Sequence, residues 1–144
     1  GLEEMTSLRN LDASRCNLNT LSHLSGLSLA WLDVRWMGSL KKLSGLEGMT
    51  SLKELNANAC GLTTLSHLRG LSLEVLDIES NKNLRNLSGL EEMTSLRILR
   101  AKGCGLVNID AIQNLSIPDC RVELTTEGLS RRAKRILKNL VGIK

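Results

Sequence analysis

Four cysteines and two histidines are the side chains of this 144-residue chain best suited to metal, redox or nucleophilic chemistry. Cys16, Cys60 and Cys104 recur every 44 residues, and so do His23 and His67. If that step spans two adjacent parallel strands, successive cysteines stand roughly 9 to 10 Å apart, whereas a disulfide needs alpha carbons within about 7 Å. Cys120 sits several residues off this column, where other copies carry leucine, and does not pair without distortion. No C-x-x-C pair supports a metal site, and the third counterpart of the histidines is Ala111, which ends a ligand column. The chain has no nucleophile elbow, no phosphate-binding glycine loop and no H-E-x-x-H motif. The expectation is a protein that is not an enzyme and uses no metal or cofactor. Four unpaired, buried thiols suit a reducing compartment, which predicts an intracellular protein.

Composition narrows the partner. A net charge of +4 and 24% charged residues exclude a supercharged nucleic-acid binder and an acidic disordered tail. No apolar run approaches the 18 or so residues of a membrane span. Phe and Tyr are absent, so Trp31 and Trp36 are the only aromatics, too few for a base-stacking surface. Leucine instead occurs 31 times, a skew that asks for one kind of pocket used repeatedly.

Leu-Glu-Glu-Met-Thr-Ser-Leu at 2–8 returns as Leu-Glu-Gly-Met-Thr-Ser-Leu at 46–52 and as Leu-Glu-Glu-Met-Thr-Ser-Leu at 90–96. Within this period of 44 a smaller unit alternates steps of 21 and 23 residues. Its copies begin Leu8-x-x-Leu11-x-Ala13-x-x-Cys16, Leu29-x-x-Leu32-x-Val34-x-x-Met37, Leu52-x-x-Leu55-x-Ala57-x-x-Cys60, Leu73-x-x-Leu76-x-Ile78-x-x-Asn81 and Leu96-x-x-Leu99-x-Ala101-x-x-Cys104. A degraded sixth copy reads Ile117-x-x-Cys120-x-Val122. These spacings do not hold the 3.5-residue period of a coiled coil.

The pattern L-x-x-L-x-L-x-x-N/C-x-L resembles the leucine-rich repeat, and its short tail is similar to the class found in internalins and phosphatase regulators. The resemblance covers residues 2 to 124. It implies an α/β repeat solenoid, with short parallel strands on a concave face and an irregular or 3₁₀ convex side. In residue terms, Leu-x-Ala/Val/Ile alternation makes a strand with one inward face, and leucines at every third position, such as Leu40, Leu43 and Leu46, suit a 3₁₀ return path. The third inward position alternates small and branched through Ala13, Val34, Ala57, Ile78, Ala101 and Val122, as interdigitating layers require.

Beyond residue 124 the period breaks. Leu129, Ala133, Ile136, Leu137 and Leu140 fall on one helical face, which predicts a capping helix over roughly 126 to 141 and divides the chain into a solenoid at 1–124 and a cap at 125–144. Residues 121–144 hold seven Lys or Arg and two acids, so the excess positive charge belongs to the cap. At the other end Leu2, Met5 and Leu8 belong to a return segment without its strand. Further repeats ahead of Gly1, or packing of this end against a neighbour, including self-association, would cover them.

Comparing the chain with itself gives the functional signal. Residues 2–45 and 46–89 share 25 of 44 positions. At the ten positions expected on the concave face, only Asp33 and Asp77 match. Free drift struggles with Thr6, Ser7, Thr20, Ser22, His23 and Ser28, which recur unchanged off that face. The resulting expectation is a protein-recognition module that takes a protein or peptide, and not a small molecule, on the concave sheet. Trp31, Trp36, Arg35 and Arg15 form the centre of the expected site, with both indoles projecting from one strand and Trp36 beside Arg15. Asn10, Asp12, Asp33, Glu54, Asn56 and Glu79 surround them. This is the Trp and Arg mixture that dominates binding hot spots. The alternative is a scaffold or regulatory segment of a larger protein that contacts an intramolecular domain through the cap helix. An extracellular adhesin shares the repeat but fits free thiols less well.

Overall fold

Each Leu-x-Ala/Val/Ile stretch places alternate side chains on opposite faces of an extended backbone, and the apolar face must be covered. Stacking the same stretch from successive units covers it. The computed structural model describes residues 1–115 and 121–140. Its strands are β1 (Asn10–Asp12), β2 (Trp31–Asp33), β3 (Glu54–Asn56), β4 (Val75–Asp77), β5 (Ile98–Ala101) and β6 (Arg121–Leu124). All six lie parallel in one sheet, in chain order. Leu11, Leu32, Leu55, Leu76 and Leu99 stand in one register column. We number the coils of this solenoid by their strands.

The return path runs on tight turns. Apolar residues three apart close i to i+3 bonds: the amides of Leu46, Met49 and Leu52 donate to the carbonyls of Leu43, Leu46 and Met49. Regular one-turn 3₁₀ segments form at Ser22–Leu24, Ser66–Leu68 and Asp110–Ile112, spaced by 44 residues, and another lies at Leu2–Glu4. Gly45 and Gly89 are required there. Both have positive φ, and a Cβ on either would lie 2.2 to 2.3 Å from the carbonyl oxygen of Leu21 or Leu65 in the preceding coil. Glu47 and Glu91 each accept a hydrogen bond from the amide of the glycine two residues earlier.

Side chains also grip the coil before their own. Ser51 and Ser95 donate to the carbonyls of Leu29 and Leu73. The thiols of Cys60 and Cys104 donate to those of Val34 and Ile78 at 2.9 and 3.1 Å. Asn81, fully buried, accepts the amides of Cys60 and Leu62 and donates to the carbonyls of Ala57 and Ile78. A buried amide that satisfies four backbone groups removes desolvation costs that an apolar residue would leave in place.

Two expectations about the repeats are overturned. Cys16 is exposed, not buried: its thiol reaches the carbonyl of Ser14, in its own coil, at 3.6 Å. Cys120 lies outside the described residues. The sixth unit is shifted by two residues, because Leu99 pairs with Val122 and Ala101 with Leu124. A two-residue shift keeps the same face inward, so the pattern reads equally well in both registers. The last step is therefore 23 residues, and Leu124 holds the place expected for Val122.

The terminal helix α1 spans Arg131–Leu140, shorter at its start than the expected 126 to 141; residue 141 lies outside the described residues. Ser130 sets the start, for its hydroxyl accepts the Ala133 amide as an N-cap does, while Gly128 turns the chain at φ +83. Ala133 and Ile136 are buried, and Leu137 and Leu140 pack on the same core. Arg132, on the exposed side of α1, bonds Asp110 at 2.9 Å and reaches Gln113 at 3.3 Å. That guanidinium holds the Asp110 carboxyl below its ordinary range.

Candidate protein-binding face

With the leucines turned inward, the alternate residues of each strand form the opposite, outward face of the sheet. One register column reads Asn10, Trp31, Glu54, Val75, Ile98 and Arg121, and a second reads Asp12, Asp33, Asn56, Asp77, Arg100 and Glu123. Trp31 is half-buried between Asn10 and Glu54, and these three with Ala30 and Lys53 border a shallow open depression.

Just past the second column coils 1 to 5 turn, and this turn explains residues whose role was not read from the sequence. Asp12, Asp33, Asn56 and Asp77 each accept, through the side-chain oxygen, the amide two residues on, that of Ser14, Arg35, Asn58 and Glu79. These Asx turns end the strands. The signal was present as an Asp or Asn at one position of four successive units. The match between Asp33 and Asp77 therefore has a structural cause. So do the recurrences of Ser51 and Ser95 described above, and of Thr20 and Thr64, whose hydroxyls accept the amides of Ser22 and Ser66.

The expected site residues divide accordingly. Asn10, Asp12, Arg15, Arg35, Trp36 and Glu54 are exposed, and Asn56 and Glu79 are half-buried. Asp33 is not on the accessible face. It is 2% exposed, with one oxygen on the Arg35 amide and the other 3.1 Å from the Arg35 guanidinium. Burying this carboxylate is tolerable because both oxygens are bonded. Hydrogen bonds from Ser14 hold the Asp12 carboxyl below its ordinary range.

Trp36 also differs from expectation. It lies beyond β2, in the turn, with φ +63, so the two indoles do not project from one strand. The equivalent places in the other coils hold Arg15, Ala59 and Ser80 at φ 54 to 61 and Gly103 at φ 72. Left-handed backbone is thus imposed by the coil, and a bulky side chain there carries a steric cost. Trp36 recovers little of it by packing, since it is 54% exposed. Equivalent amides bond neighbouring coils, Arg15 to the Arg35 carbonyl and Trp36 to the Asn58 carbonyl, which sets Arg15 and Trp36 on adjacent coils.

No family profile matches the chain, and no curated protein is significantly similar to it in sequence. In structure the chain is similar to an internalin (inlF) from Listeria monocytogenes, at TM-score 0.60 and 18% identity. The fold is a leucine-rich-repeat solenoid. The superposition covers 99% of this chain and 48% of that one, so the chain spans about half the length of the solved protein it resembles. Among the described residues, no helix is long and apolar enough to cross a membrane, and no group of three or more His, Cys, Asp or Glu is placed to hold a metal ion.

Proposed function

We propose that the outward face of the sheet recognises a protein or peptide, with Trp31, Trp36, Arg15 and Arg35 as its anchors. The observation that carries this reading is Trp36. An indole 54% exposed, on a backbone conformation that disfavours large side chains, contributes little to folding. Large aromatic and Arg side chains on a rigid support bind with a small loss of conformational entropy. Arg35 is pre-oriented by Asp33, so Asp33 acts as a positioning residue. Asn10 and Glu54 flank Trp31 in the ladder, Asp12 and Asn56 flank Asp33, and Glu79 stands on coil 4, two coils from Arg35.

The test separates binding from stability. Trp36→Gly is expected to raise stability by about 1 kcal/mol, because glycine adopts this backbone without strain, and to weaken partner capture from native cells. Trp31→Ala is expected to weaken capture with a small change in melting temperature. A large stability loss with capture intact would overturn the reading. Loss of capture on charge reversal of Arg131, Lys134 and Arg135, with both Trp variants unaffected, would favour contact through α1 instead.

A further inference from the structure

Charge on the outward face is sorted by coil. Coil 4 presents Glu74, Asp77 and Glu79, and coil 5 presents Arg97, Arg100 and Lys102, with no opposite charge in either row. The two rows stand in register, because Asp77 pairs with Arg100 and Val75 with Ile98 across the ladder. Coils 2 and 3 balance their charges, Asp33 against Arg35 and Lys53 against Glu54. Opposed in this way, the two rows could bridge each other. Yet among the described residues no ion pair joins them, and Lys102 bonds Glu123 of coil 6 at 3.3 Å. Arg100 also departs from its column: the four earlier coils place an Asx residue there to close the turn, and coil 5 forgoes that hydrogen bond for a half-buried guanidinium.

Two such rows are self-complementary under a two-fold axis. Turning a second copy about an axis parallel to the strands, midway between β4 and β5 and above the sheet, lays its coil 5 over coil 4 of the first. Every residue keeps its height along the strand. Glu74 then faces Arg97 of the other copy, Asp77 faces Arg100, Glu79 faces Lys102, and the apolar pair Val75 and Ile98 meets its own image. The same three ionic contacts recur in reverse, six in all, as an isologous interface requires. We infer that the seam between β4 and β5 is a self-association surface whose occupant is a second copy of this chain. This rests on the reading of the sheet as a recognition face and names the partner for its carboxyl-terminal half.

The overlap is small. From β3 to β6 the overlap spans about 14 Å across strands spaced about 4.8 Å apart, well below a standard stable interface. Association is therefore weak and sensitive to salt, because its contacts are largely between exposed charges.

Sedimentation equilibrium of the 144-residue chain near millimolar concentration, at low and high salt, reads this directly. Wild type is expected to dimerise at low salt and to dissociate on adding salt. Glu74→Lys with Glu79→Lys makes both rows basic, and Arg97→Glu with Lys102→Glu makes both acidic. Each double variant alone is expected to dimerise at least tenfold more weakly, and their equimolar mixture to form a 1:1 complex, with unchanged circular dichroism in all. Wild type that stays monomeric, variants that associate like wild type, or a mixture that fails to combine would overturn the proposal. Trp31→Ala and Trp36→Ala are expected to leave the dimer intact. Their loss of partner capture therefore reports on the recognition face separately.

Discussion

Coils 1 and 3 carry nearly the same residues in different surroundings. Both have the Thr-Ser-Leu entry, two inward leucines, an alanine and a cysteine, 44 residues apart. In coil 3 Ser51 and Cys60 bond carbonyls of coil 2, and Asn81 of coil 4 holds the amides of Cys60 and Leu62. In coil 1 Ser7 and Cys16 are exposed, and the position corresponding to Asn81 in the next coil is Met37, which offers no amide. Identical side chains therefore hold one coil tightly and leave the other loosely tied. What a polar residue contributes to this fold depends on whether a neighbouring coil supplies its partner.

Replacing Asn81 by Met would impose the arrangement of coil 1 on coil 3. It leaves two amides and two carbonyls in the core with fewer partners, at a cost of about 3 kcal/mol or more. Chemical denaturation should show this as a lower midpoint, and amide exchange should show early opening of residues 60 to 62. A loss below 1 kcal/mol would mean that Asn81 is not what distinguishes the two coils.

The thiols give a second contrast, of intermediate size. Burial pushes Cys60 and Cys104 up from 9.0 to about 11. In the folded protein they keep their protons where the unfolded chain loses them, so this stabilisation is complete below about pH 9 and is lost as pH rises through 11. The expected fall is on the order of 1 to 2 kcal/mol per thiol, measured by denaturant titrations between pH 8 and 11. Cys60→Ala and Cys104→Ala should each reduce that dependence, and Cys16→Ala should leave it unchanged. In the native protein a bulky thiol reagent should modify Cys16 quickly and the other two slowly. Equal rates at all three would remove the contrast.

The smallest effect is expected at the serines. Ser51→Ala deletes one hydrogen bond between coils and should cost about 1 kcal/mol, whereas Ser7→Ala should be neutral within about 0.5 kcal/mol. Matched melting curves of the two variants measure the difference.

Periodicity was legible without coordinates because each coil repeats one local rule. Leu-x-x-Leu-x-Ala/Val/Ile specifies a strand with an inward face wherever it occurs, and the spacing of three specifies the return turn. A helix near the carboxyl end followed from Ala133, Ile136, Leu137 and Leu140 for the same reason. Other features depended on contacts between coils that no local pattern contains. Val122 rather than Cys120 pairs with Leu99 because parity alone cannot separate registers two residues apart. Asp12 and Asp33 occupy the same register position, yet the first is exposed and the second buried, with Arg35 wrapped against it and β3 alongside. Trp36 leaves the strand because coils 1 to 5 all turn left-handed at that point. The residues of a coil state which face turns inward; the coils on either side decide which of its polar atoms have partners and which side chains remain open to solvent.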